Sequence, residues 1–186
     1  MLAWLIRPLL CLLLTLVLGG TGFGQPAAAS LTNNRYDGNI YALYAGNGSL
    51  VPPRSTLAEA MAQQRPAVLV YYLDDAAASK RFAAEVSELQ RLWGNSIELI
   101  PLATDPLQNR SDTGPSDPAH YWKGVVPQVV VFDGRGQVLL DASGQVEPAV
   151  LNKAISAATG IALPEKELNS RTISFNELNS EVVNQP

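Results

Sequence analysis

The sequence predicts an α/β fold in which a central mixed β-sheet is flanked by helices, with an extension at each end of the chain. Two segments, AVLVYYL at 67–73 and SIELIPL at 96–102, are short, apolar and rich in β-branched, aromatic or Leu residues, as buried parallel strands are. A segment with helical periodicity separates them, which makes a β-α-β unit and therefore a parallel pair. The Val- and Leu-rich segment at 125–144 turns at DGRG, which predicts an antiparallel hairpin before the last helix. We expect 96–102 to be a second central strand, with Pro101 limiting its far end.

The longest helix is predicted to run from Ala76 to Leu92. Asp74 or Asp75 is the expected N-cap, and Gly94 is expected to end the helix. Its apolar side chains recur at helical spacing and form one face that packs on the sheet: Phe82, Val86, Leu89 and Trp93.

Shorter helices complete the predicted domain. Thr56 and Glu59 form a capping box at the start of one, and Asp117 followed by Pro118 starts another. A closing helix lies within 147–160 and ends at a glycine. The residues of the closing helix expected to face the sheet are Ala149 or Val150, Leu151, Ala154, Ile155 and Ala158.

The chain divides into four parts. Residues 1–29 fit a signal peptide, because one positive charge precedes the apolar run LLCLLLTLVL and the small residues AAA follow. Ten helical residues rise about 15 Å, half of a bilayer core of roughly 30 Å, so we expect cleavage, with an uncleaved N-terminal anchor as the alternative. Residues 30–54 are an N-terminal extension that packs on the domain and is expected to add a short strand. Residues 55–160 are the domain, and 161–186 are a polar C-terminal tail.

Composition and single residues exclude several classes of function. The net charge of −4 and pI near 5.0 argue against a nucleic-acid partner, which requires a basic face. Cys11, the sole cysteine, lies in the signal segment, so the processed protein has no thiol for thiol–disulfide exchange or peroxide reduction. His120 is the sole histidine and does not make a zinc site by itself. We therefore expect no cofactor and no metal.

Two stretches resemble thioredoxins: PAVLVYYLDDAAASK, their first strand and active-site turn, and YWKGVVPQVVVFDGRGQVLLDASG, their later segment with a cis-proline before the terminal hairpin. The resemblance covers roughly residues 55–160 and implies a thioredoxin-like fold. It places Ala76 and Ser79 where the two redox cysteines would be, and Pro127 at the cis-proline. The degenerate redox-motif positions are Ala76, Ala77, Ala78 and Ser79.

A wider resemblance covers both ends of the chain. The stretches RYDGNIYALYAGNGSLVPPRSTLAEA and SFNELNSEVV are similar to cyanobacterial thylakoid membrane photosystem I accumulation factors, which are thioredoxin-like and exported toward the thylakoid. Some members have a cysteine near the Ser79 position, so Ser79 departs from them and a redox role does not transfer. The resemblance implies help in assembling or maintaining photosystem I. It also implies the thylakoid lumen or membrane as the location, with the periplasm as an alternative.

Without thiols, the predicted site is a surface for a client protein around Val126 and Pro127. A cis-proline leaves the backbone of the preceding residue free to pair with an extended peptide, which needs no cysteine. Neighbouring apolar side chains would line the groove. The candidate client-binding residues are Tyr72, Leu73, Asp74, Asp75, Trp122, Val125, Val126 and Pro127. No residue is expected to be catalytic.

Together with the resemblance, which implies the thylakoid and photosystem I subunits or assembly factors as partners, these observations predict a non-catalytic protein that binds a client. Membrane association is expected through the N-terminal segment. Two other classes stay open. One is a thiol–disulfide oxidoreductase-related protein that acts with a partner's cysteines and would reveal itself by insulin reduction. The other is a small-ligand binding module, which requires a closed apolar pocket beside the degenerate redox-motif positions, Ala76–Ser79.

Overall fold

A computed structural model describes residues 29–163, so the predicted signal segment and most of the predicted tail lie outside the described residues. The strands within this range are β1 Ala67–Tyr72, β2 Glu98–Ala103, β3 Gln128–Phe132 and β4 Val138–Ser143. They form one sheet in the order β2-β1-β3-β4. β1 is parallel to β2 and antiparallel to β3, and β3 is antiparallel to β4. The mixed sheet is confirmed, and this order of a β-α-β unit followed by a hairpin is the thioredoxin arrangement.

The α-helices within the described range are α1 Ile40–Ala45, α2 Leu57–Ala62, α3 Ala77–Trp93 and α4 Pro148–Thr159. Of these, α2, α3 and α4 lie close to their predicted positions. The capping box of Thr56 and Glu59 starts α2, and Gly94 ends α3, both as predicted. Short 3-10 helices span Gly48–Leu50, Asp105–Leu107 and Pro118–His120.

Two predictions about this region of the fold are wrong. β2 is an edge strand, and Pro101 lies inside it, opposite Val70 of β1, rather than at its end. An edge strand tolerates proline because only one side of the strand is paired, so the missing N–H can face away from the sheet. The N-terminal extension adds no strand within the described residues. It forms α1 instead, where the Asn39 side chain caps the helix and Gly46 ends it with a φ of 61°.

The sheet separates two apolar clusters. Alternate residues of β1 point to opposite faces, so Val68, Val70 and Tyr72 join the main cluster, whereas Leu69 and Tyr71 join the second. The main cluster contains the predicted α3 face, all of it buried, together with Leu151 and Ile155 of α4. The expectation that Ala149 or Val150 faces the sheet is wrong, because both residues are exposed, Val150 to 46%. α1 and α3 therefore cover the same face of the sheet, and this brings the N-terminal extension to the predicted site.

Candidate functional site

The N-terminus of α3 is capped by a residue that is distant in the sequence. Ala76 occupies the N-cap position and offers no side-chain acceptor, so the predicted cap by Asp74 or Asp75 is wrong. The amide of Ala77 instead donates to Oδ1 of Asn34 at 2.9 Å. Asp74 accepts from the amide of Ile40 at 3.1 Å, at the start of α1. The turn that resembles a redox site is thus bonded to the N-terminal extension.

Ser79 is a buried structural residue in this geometry. Only 2% of its surface is exposed, and its Oγ accepts a hydrogen bond from the amide of Leu73 at 3.2 Å. His120 forms a contact with Asp112 at 3.3 Å and stacks edge-on against Tyr121. No contact joins the Ser79 hydroxyl to His120 within the described part of the chain, so these two residues do not form a nucleophile–base pair.

The sequence reasoning missed the most concentrated polar cluster at this site, which surrounds Lys80. The side chain of Lys80 is fully buried, and its Nζ lies 2.5 Å from Oδ2 of Asp37 and donates at 2.6 Å to the carbonyl of Arg35. It also donates to the carbonyls of Ser30 and Asn33, at 3.3 Å each, and to Oδ1 of Asn33 at 3.2 Å. An ammonium has three donors, so these oxygens share them and replace the hydration shell. We call residues 30–37 the N-terminal strap.

The pKa of Asp37 agrees with a charged pair between Lys80 of α3 and Asp37 of the strap. Hydrogen bonds from Lys80, and next from Tyr44 at 2.7 Å, hold the pKa of Asp37 at about 2, below its ordinary value of 3.8. Burial, followed by the hydrogen bond to Asp37, raises the pKa of Tyr44 to about 12. Asp74 is different, because burial raises its pKa above the ordinary value, and the nearby carboxylates of Asp105 and Asp75 add to the effect.

The signal for the Lys80 cluster was present in the sequence, although it is weak. Lys80 lies one turn before Ala83 and six residues before Val86, so it falls on the buried face of α3. A lysine there requires a buried partner, because an ammonium is rarely buried alone. The partner, Asp37, is 43 residues earlier. Periodicity does not reveal a pair of that separation.

Val126 and Pro127 lie on the other side of the same turn. The peptide bond between them is cis. β3 pairs with β1 through Tyr71 and Gln128, so continuing this register places Val126 beside Leu73. Val125 is 49% exposed and Val126 is partly exposed. No other described residue hydrogen-bonds to the backbone of Val126, whereas the carbonyl of Pro127 accepts from Gly144 at 2.8 Å.

The structure does not bring all the predicted groove residues together. Tyr72 is 4% exposed and packs edge-on against Tyr41 in the main cluster, and burial raises its pKa to about 12. Trp122 lies on the opposite face of the sheet, where its ring is 5.3 Å from that of Tyr71. Leu73 and Asp74 are partly exposed and Asp75 is exposed. The accessible part of the predicted surface is therefore the backbone of Val126 with Val125, Leu73 and Asp75 around it.

Two adjoining cavities lie elsewhere. They measure about 690 and 420 Å³ and share Arg54, Gln90 and Asn95 in their walls, at the C-terminal end of α3. Neither borders Ala76–Ser79, where the small-ligand alternative requires its pocket.

Residues 29–163 contain no cluster of three His, Cys, Asp or Glu side chains suited to a metal ion. The helices in that range also lack the length and hydropathy that crossing a membrane requires.

Comparisons with known proteins give one strong match. The chain is 37% identical over 157 residues to a Synechocystis protein named thylakoid membrane protein slr1796, covering 84% of this chain and 78% of that relative. No protein-family model matches the chain.

Solved structures are similar only at a low level. A chain from a structural study of the thiol resolving mechanism in yeast mitochondrial 1-Cys peroxiredoxin via glutathione/thioredoxin systems is 16% identical with a TM-score of 0.41, covering 54% of this chain and 85% of that chain. An uncharacterized thioredoxin-like protein from Porphyromonas gingivalis is 15% identical with a TM-score of 0.37, covering 54% and 80%. The fold assignment rests on the strand order of the sheet. Since 37% identity extends over most of both chains, this thioredoxin-like protein belongs to the family of the Synechocystis thylakoid membrane protein slr1796.

Proposed function

We propose that this protein acts at the thylakoid as a non-catalytic client-binding factor that supports the assembly or accumulation of photosystem I. The client would be a photosystem I subunit or one of its assembly partners. The location is supported by the relative, which is named a thylakoid membrane protein. The photosystem I role is supported by the similarity of both chain ends to the accumulation factors.

The observation that carries client binding is the open backbone of Val126. A peptide amide and carbonyl without hydrogen-bond partners among residues 29–163, beside an exposed Val125, can pair with an extended segment of another protein. A non-catalytic role is supported by Ala76 and Ser79 at the positions of the redox cysteines, because neither side chain supplies a thiolate. The Oγ of Ser79 is also already bonded to the Leu73 amide.

The test uses a Synechocystis strain from which slr1796 has been deleted and into which the full chain is introduced with a C-terminal tag. Two quantities are measured: photosystem I per chlorophyll, from P700 absorbance, and photosystem I subunits retained on the tagged protein from detergent-solubilised thylakoids. We expect the wild-type chain to restore photosystem I content and to retain its subunits.

Val126→Asp tests the binding face, and Val150→Asp is the matched control. Both replace a solvent-accessible valine, but Val150 lies on α4, away from the turn. Val126→Asp should lower retention about tenfold or more, which corresponds to about 1.4 kcal/mol of binding free energy. Val150→Asp should not change it. Truncation after Gly160 tests whether the tail contributes.

Two outcomes would overturn the proposal. If the wild-type chain neither retains photosystem I subunits nor changes P700 content, the function is wrong. If Val126→Asp retains as much as Val150→Asp, the function stands but the binding face is wrong.

A further inference from the structure

We infer that the N-terminal strap is a cover that shields the first turn of α3 and that Lys80 holds it closed, so that opening the strap controls access of the client to the turn. This inference rests on the proposed function and adds its regulation.

The strap contacts the turn and α3 at successive points. Asn34 accepts from the amide of Ala77, and four strap residues supply the oxygens around Lys80. Under this cover Ala77 is 8% exposed and Lys80 is 1% exposed. The N–H groups in the first turn of a helix have no acceptor within the helix. In α3, a helix of 17 residues, the strap supplies one acceptor, Oδ1 of Asn34.

The strap is held mainly by polar contacts. It has no helix or strand, and four of its residues are exposed: Thr32, Asn34, Arg35 and Tyr36. Leu31 is its one apolar side chain that packs on the main cluster within the described residues. Segments with few buried apolar contacts open at low free-energy cost. Most of the hydrogen bonds that oppose opening here converge on Nζ of Lys80, and the bonds of Asn34 to Ala77 and of Asp37 to Tyr44 add to them. Lys80 is therefore the residue that contributes most to keeping the strap closed.

The strap and the open backbone lie on either side of one short turn. Val126 lies beside Leu73 by strand register, and Ala77, which the strap covers, follows Leu73 by four residues. A client segment paired with Val126 meets the strap as soon as it extends across this turn. Opening the strap lengthens the accessible surface from the Val126 side to the N-terminus of α3.

Closure of the strap can be measured by the reactivity of a cysteine introduced beneath it, because the chain has no cysteine other than Cys11. In the full chain carrying Cys11→Ser, Ala77→Cys places one thiol under the strap. Asp75→Cys places one on the exposed part of the same turn. The rate of reaction with an aromatic disulfide reagent, divided by the rate in denaturant, measures access. We expect Ala77→Cys to react at least about tenfold more slowly than Asp75→Cys, as a locally closed segment requires.

Adding Lys80→Met to Ala77→Cys should remove most of this difference, because methionine keeps the buried stem but lacks the ammonium. If Lys80→Met does not fold by circular dichroism, Asn34→Ala removes the bond to Ala77 and leaves no buried charge. The same variants without the engineered cysteine should retain more photosystem I subunits than the wild-type chain does.

The outcomes separate the two proposals. Equal reaction rates at positions 77 and 75 would overturn the closed strap, whatever the client does. If Lys80→Met or Asn34→Ala exposes position 77 and the retention of photosystem I subunits does not rise, the strap does not control client access. Absence of retention in every variant, with the thiol rates as expected, would overturn the proposed function and not the opening of the strap.

Discussion

The two sides of the turn after β1 differ in how their polar backbone groups are satisfied. On the side of α3, the strap supplies an acceptor to Ala77 and an oxygen shell to Lys80. On the side of β3, the Val126 backbone has no partner among the described residues. One side is therefore occupied by the protein's own chain, whereas the other is available to a second protein. The difference shows that an extension of the same chain can cover one side of a turn and leave the other side open.

The largest expected effect comes from Lys80→Ala. The substitution leaves the Asp37 carboxylate and four other strap oxygens without their cation, and breaking a buried ion pair from one side typically costs about 3–5 kcal/mol. The free energy of unfolding, from urea denaturation, measures it. The control is Arg91→Ala, because the Arg91 side chain is 62% exposed and its bridge to Glu88 joins two positions of the same helix. Such a bridge is worth about 0.2–1 kcal/mol, so equal losses in both variants would contradict a structural role for the Lys80 cluster.

The comparison also explains what the sequence could and could not predict. Strands, hairpin and the α3 face follow from local apolar periodicity, and Phe82, Val86 and Trp93 are buried as expected. The Val126 side was predictable from the thioredoxin resemblance because it depends on residues near Pro127 in the chain. The Lys80–Asp37 pair was not, since it joins residues 43 positions apart and leaves no periodic signal. The misplaced N-cap has the same cause, because Asn34 caps Ala77 from 43 residues away.

Low pH should weaken the ion pair between Asp37 of the strap and Lys80. Asp37 has a folded pKa of about 2 against an ordinary 3.8, so its contribution to stability is present above about pH 3.8 and is lost as the pH falls toward 2. Lys80→Met removes the main cause of the lowered pKa, so its stability should fall less steeply over this window. The measurement is the urea midpoint between pH 5 and 2 in both proteins. Asp117 also has a pKa of about 2 but is unchanged between them. Parallel curves would show that Lys80 does not set the Asp37 titration.

Removing the distant cap should have a smaller effect. Asn34→Ala leaves the Ala77 amide without its acceptor, and loss of a helix cap costs about 1 kcal/mol. Asn34→Asp is the matched control, since a carboxylate still accepts from Ala77 and is favoured by the positive end of the helix dipole. Thermal unfolding should therefore place the aspartate variant at or above wild type and the alanine variant below it. The reverse order would mean that the strap is held without this bond.

The smallest effect is expected at Asp74, which lies on the turn between the two sides. Burial raises its pKa, so the folded protein prefers the protonated form, and the stability this residue contributes is highest at low pH and declines as the pH rises through the folded pKa. Asp74→Asn imitates the protonated form and keeps an oxygen for the Ile40 amide. At neutral pH we expect the free energy of unfolding to change by no more than about 0.5 kcal/mol, toward higher stability. Asp74→Ala should be less stable than Asp74→Asn, because it leaves the Ile40 amide unpaired. If Asp74→Asn is as damaging as Asp74→Ala, the negative charge itself is required at the turn, and the two sides are coupled through Asp74 rather than being independent.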